Sequence, residues 1–152
     1  MTTTDELILH WHEQSDATLR PPASKDAISQ FESANRILIP DGFRSYLTKA
    51  DGFDQNSGYQ DENGYNFWPL EKIAPATAMN LGSSSSKELE SLFVFADYLD
   101  FCWGYAIRLR PTIGDNEIAI LGTASGAPQT IAANFDEFLQ LYISEDEKMQ
   151  PD

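Results

Sequence analysis

The sequence predicts an α+β fold, a mostly antiparallel central sheet with helices packed against it. Three observations carry that expectation. Residues 92–121, LFVFADYLDFCWGYAIRLRPTIGDNEIAIL, are rich in the aromatic and β-branched types that suit a pleated, half-buried surface. From Trp103 onward, Trp103, Tyr105, Ile107 and Leu109 alternate with Gly104, Ala106, Arg108 and Arg110, the period of a strand with one covered face. Outside this stretch, apolar residues recur at helical spacing instead.

Within the sheet, Pro111 ends one strand, Gly114-Asp115-Asn116 makes a turn, and residues 117–121 return as an antiparallel partner. Before it, residues 6–14 place Leu7, Ile8 and Trp11 on one side of a short helix that Pro21-Pro22 closes off. Ser24 suits the N-cap of a second helix burying Ala27, Ile28 and Phe31. Pro40 and Asp41 open a third, whose stripe Phe43, Tyr46, Leu47 and Ala50 is followed by Gly52 as the expected stop. Residues 53–66 are polar and turn-rich, with Asn56-Ser57-Gly58 and Glu62-Asn63-Gly64. Residues 65–68 read as a strand and residues 69–73 as one turn leaving it. Residues 74–91 read as a weak helix or loop containing the serine run 83–86.

A strand over residues 92–96 precedes Asp97, and residues 129–132 read as a short edge strand. The last helix is the best marked. Asn134 suits its cap, Glu137 stands where a capping box places a carboxylate, and Phe135, Phe138, Leu139 and Tyr142 form its stripe. A single domain spanning 1–152 is expected, with a peripheral helix at 5–14 and a peripheral tail at 145–152.

Charge narrows the function. The chain has 24 Asp and Glu against 10 Lys and Arg, a formal −14. Such a field repels nucleic acid and anionic membrane and speeds encounter with a basic protein. No run is apolar enough to span a bilayer, and the acidic start lacks a signal-peptide layout. With the single cysteine, Cys102, no internal disulfide forms, and a reducing cytoplasmic location is expected.

No catalytic set assembles from the residues. Residues 82–87 lack the glycine before Lys87 and the hydroxyl after it that a phosphate loop needs. His10 and His12 point to different sides of a helix, so no metal site is expected. Asp51, Asp54 and Asn56, like Asp61 and Asn63, lack the order of a calcium loop. Asp97 and Asp100, three apart, read as turn-capping residues rather than an acid–base pair, and Cys102 as a small buried hydrophobe. Trp103 reads as core by its alternation. Trp68 is evenly balanced between core and interface.

Taken in order, several segments resemble the SUKH superfamily, in the branch related to the fungal cell-wall-synthesis regulators. They are Ile28, Phe31 and Glu32; residues 38–47, LIPDGFRSYL; Asp51-Gly52; residues 67–73, FWPLEKI; the block from Phe95-Ala96-Asp97 to Leu109; and residues 131–139, IAANFDEFL. Ile39 stands between Leu38 and Pro40, where the family usually joins Leu to Pro, and Asp51-Gly52 replaces its frequent Asn-Gly. The resemblance implies an α+β protein-binding domain without catalytic residues or cofactor. It is expected to be an immunity protein that neutralises a cognate toxin, with a basic nuclease domain as a fitting partner; the alternative is a regulatory scaffold without a toxin. The expected partner-binding residues are the loop carboxylates Asp51, Asp54, Asp61 and Glu62, together with Asp100.

Overall fold

The central sheet has the strand order β1–β3–β4–β5–β6, with β2 also paired to β3, and every pairing is antiparallel. Its strands are β1 Tyr65–Phe67, β2 Ala74–Pro75, β3 Leu92–Tyr98, β4 Trp103–Arg108, β5 Ile118–Leu121 and β6 Gln129–Ala132. The computed structural model describes residues 1–15, 17–55, 61–79 and 86–152. The expected turn at Asn56-Ser57-Gly58 and most of the serine run lie outside the described residues.

The helices form where capping chemistry starts them. α1 Thr3–Gln14 begins with a full capping box between Thr2 and Asp5. α2 Lys25–Asn35 is capped by the Ser24 hydroxyl. α3 Asp41–Leu47 follows Pro40, and α4 Ser86–Leu89 is a single turn. α5 Phe135–Ile143 is capped by Asn134 Oδ1, which accepts from Glu137 N at 2.9 Å. The Glu137 carboxylate reaches back to the N–H of Ala133, one residue before the cap.

One hydrophobic cluster joins the helices to the sheet. Phe43, Tyr46, Leu47 and Ala50 are all buried, and so is the whole stripe of α5. Burying a Phe or Leu side chain in this way stabilises the fold by roughly 1.5–3 kcal/mol. A register shift between Val94 and Ala96 gives β3 an extra residue, Phe95, whose ring packs against Phe43, Phe135 and Phe138.

Several expectations change in three dimensions. The sheet is covered on both faces, since Ala106 is as buried as Tyr105 and Ile107. The two ends are not peripheral. Trp11 of α1 is 2 % exposed and its ring meets Phe53, Phe67 and Tyr142 edge-on. Met149, in a 3-10 turn at Glu147–Met149, is 2 % exposed and its carbonyl accepts the Tyr105 hydroxyl. On α2 only Ile28 is fully buried, while Ala27 and Phe31 are half-covered. α3 stops before Gly52, and that glycine serves another purpose. At φ +71, a Cβ there would lie 2.6 Å from the Trp68 carbonyl carbon, so only glycine lets the two backbones pass.

Candidate interaction site

The two ends of the β3–β4 hairpin differ: one holds arginines paired with a glutamate, the other a group of exposed carboxylates. Arg108 lies opposite Leu92, and Tyr98 opposite Trp103 at the other extremity. Arg108 and Arg110 both pair with Glu117 at the first end. At the second end, residues 61–64, residues 99–101 and Glu145 come together. Leu99 N–H donates to Gly64 O at 3.0 Å, and Asn63 Nδ2 donates to Glu145 Oε1 at 2.9 Å. Glu62, Asp100 and Glu145 are exposed there.

Aromatic rings form the surface between them. Tyr65, Tyr98 and Trp103 are direct cross-strand neighbours and therefore share one face. Tyr98 stacks on Trp103 with centroids 4.6 Å apart and planes at 19°, and Tyr65 lies 5.0 Å from Tyr98. All three are half-buried. Trp103 Nε1 donates to the Tyr105 hydroxyl at 2.8 Å.

The opposite face holds the turn in place. Asp97 is buried, and its Oδ1 accepts from Trp68 Nε1 at 2.7 Å while Oδ2 accepts from Phe101 N at 2.7 Å. The Phe101 ring rests over Gly104, where a Cβ would meet it at 2.5 Å. The two tryptophans thus separate, Trp68 resolving from an even balance and Trp103 departing from the core position its alternation suggested. Trp68, 6 % exposed and covered by Lys72 4.4 Å from its ring centre, is core, whereas Trp103 is only half-buried. Cys102 is exposed rather than buried, because the turn points it outward from the sheet.

The five expected binding carboxylates separate into different environments. Glu62 and Asp100 are exposed at the anionic end. Asp54 is half-buried, its backbone N–H donating to Thr18 O at 2.6 Å. Asp51 accepts from Leu70 N at 2.7 Å, and Arg20 stands 4.0 Å away. It lines a groove of about 660 Å³ between residues 20–24 and α2, with Glu71 beside it. Burial, the dominant cause, raises its pKa above the usual carboxylate range.

Asp61 is the clearest correction, because it faces inward and is 6 % exposed. Its Oδ1 accepts the N–H groups of Asn63 and Tyr65, each at 2.9 Å, and its Oδ2 accepts the Tyr142 hydroxyl. Trp11 Nε1 in turn donates to that hydroxyl at 2.8 Å. Desolvation raises the Asp61 pKa despite these donors, which pull the other way. A carboxylate so engaged organises the 61–65 turn and offers almost no exposed surface.

Sequence reasoning missed Leu99, Tyr65, Tyr98, Trp103 and Glu145 as surface components. The available signal was the pairing of Asp97 with a turn, LDFC, that contains no glycine or asparagine. The remaining residues offer little else. His10 lies edge-on to Tyr142 at 5.8 Å. Among the described residues no three His, Cys, Asp or Glu side chains gather to hold a metal ion. No helix among them is long and apolar enough to cross a membrane.

Antiparallel sheet, helical cover and an aromatic, acid-rimmed sheet end describe an α+β protein of a type suited to protein–protein contact. The chain belongs to the SMI1/KNR4 family (SUKH-1), whose model matches residues 22–141. No curated protein matches it. The match includes α2, α3, the complete sheet and most of α5, and leaves α1 outside.

Proposed function

We propose that this chain is a single, non-catalytic binding domain that acts in the cytoplasm as an immunity protein. Its partner is a cognate bacterial toxin domain with a basic surface, such as a nuclease. One observation carries the reading: Glu62, Asp100 and Glu145 are exposed around half-buried aromatic rings at one end of the sheet, while at the other Glu117 is paired with Arg108 and Arg110. Family membership and the formal −14 support it. A basic substrate groove brought against this end gains charge complementarity and loses access to its own substrate, so inhibition is steric and electrostatic. No proton transfer or bond cleavage by this chain is required.

The first test is to read the neighbouring open reading frames for a toxin-bearing gene, whose absence would favour a regulatory scaffold. The second follows association with that toxin domain by stopped flow at low and high salt. The triple variant Glu62→Gln, Asp100→Asn, Glu145→Gln is expected to bind about tenfold more slowly at low salt, with a flatter salt dependence. An unchanged on-rate with unchanged salt dependence would remove the electrostatic account.

A further inference from the structure

The tip of the β3–β4 hairpin adopts a backbone that its side chains disfavour. Leu99, Asp100 and Phe101 have φ of 46°, 53° and 65°. Glycine enters this left-handed region freely and Asp tolerates it, but Leu and Phe do not. The three form one left-handed turn, closed by Cys102 N–H donating to Tyr98 O at 2.8 Å.

The surroundings impose the turn. Gly64 O accepts from Leu99 N, Asp97 Oδ2 accepts from Phe101 N, and the Phe101 ring fills the space over Gly104. Part of the Leu99 side chain fills the space over Gly64, where a Cβ would lie 2.6 Å from its Cδ2. The remainder projects outward, leaving Leu99 46 % exposed. A connection needed only to join two strands would use glycine or asparagine here without strain. Strain of this kind persists where neighbours over-determine it, and it concentrates at contact points for ligands.

We infer that Leu99 is the apolar anchor of the partner interface, entering an apolar pocket that is ringed by lysine or arginine side chains. This rests on the binding role proposed above for the same sheet end. Charge decides what kind of pocket it is. Glu62, Asp100 and Glu145 place negative charge around the tip, and an apolar rim would desolvate that charge while an acidic one would repel it. A cationic rim complements it, and the stacked Tyr98 and Trp103 extend the contact beside the anchor. Because the turn is already fixed by three hydrogen bonds, docking orders little new backbone.

Anchor and rim have separable kinetic signatures. Rim carboxylates act on the on-rate, whereas a buried anchor acts on the off-rate. Leu99→Asn keeps a residue that tolerates positive φ and removes the apolar tip. In surface-plasmon measurements with the toxin domain it is expected to raise koff about 30-fold or more, with kon within about threefold of wild type. Leu99→Met, still apolar, is expected to stay within about fivefold in koff. If Leu99→Asn proves unstable, Leu99→Gly suits the same φ and carries the same reading. A koff within about twofold of wild type for a folded Leu99→Asn or Leu99→Gly variant would overturn the anchor alone. Failure of the wild-type chain to bind would overturn the immunity reading, and the anchor with it.

Discussion

Replacing Tyr142 by Phe removes one oxygen from the buried chain that runs from Trp11 through Tyr142 to Asp61. The hydroxyl accepts from Trp11 Nε1 at 2.8 Å and donates to Asp61 Oδ2, so its loss strands a donor and an acceptor together. A buried polar group left without its partner costs about 1–3 kcal/mol. Asp61 keeps two backbone donors on Oδ1, which limits its share. The expected loss is about 2–4 kcal/mol, equivalent to a fall in Tm of roughly 5–15 °C for a chain of this size. Urea titration followed by tryptophan fluorescence measures it, with an unchanged m-value expected because the buried area is retained. A double-mutant cycle with Asp61→Asn should show strong coupling, since both variants break the same bond. The pH dependence provides a further check. The pKa of Asp61 is raised in the folded chain, so the native state holds a proton more tightly than the unfolded one. Stability therefore increases as pH falls from the raised value toward the ordinary 3.8, and declines as pH rises through that window. Removing the Tyr142 donor raises the pKa further and widens the window. A loss under about 1 kcal/mol, or an unaltered pH profile, would show that the hydroxyl does not support this chain.

Tyr46→Phe should behave in the opposite way. Its hydroxyl is buried with no hydrogen-bond partner among the described residues, lying near the Gly52 backbone without bond geometry, so stability should change by less than about 1 kcal/mol, in the favourable direction. Gly52→Ala should be the most damaging glycine change, by about 3 kcal/mol or more, because backbone atoms of Phe67, Trp68 and Pro69 occupy the space and cannot swing away. Soluble yield and Tm report it, and a variant as stable as wild type would show that the loop can shift. Asp97→Ala should release both Trp68 Nε1 and Phe101 N, lowering stability by about 2–4 kcal/mol and changing the near-ultraviolet circular dichroism of the tryptophans. Cys102 should react with a thiol reagent in the native state at a rate close to that in urea, and protection until unfolding would contradict its exposure.

Much of the scaffold was legible because local chemistry agrees with the final fold. Ser24 and Asn134 cap helices wherever they precede an apolar stripe, and both do so here. Pro111 cannot continue a strand, and residues 129–132 are too short and too polar at one end to be central. The candidate site was less legible, since exposure depends on what lies across from a residue. Asp97, 29 residues from Trp68 along the chain, decides that Trp68 turns inward. Asp61 looked like any loop acid until Tyr142, 81 residues away, met it.

By itself, the order of residues determined an acidic α+β chain, its helix starts, its central hairpin and its likeness to SUKH proteins, because these follow from periodicity, capping and composition over short spans. Only the tertiary structure decided which carboxylates face outward, that α1 and Met149 complete the core, and that Leu99 is held exposed on a left-handed turn. Those outcomes depend on contacts between distant segments. Burial, desolvation and imposed backbone strain exist only once those segments have met.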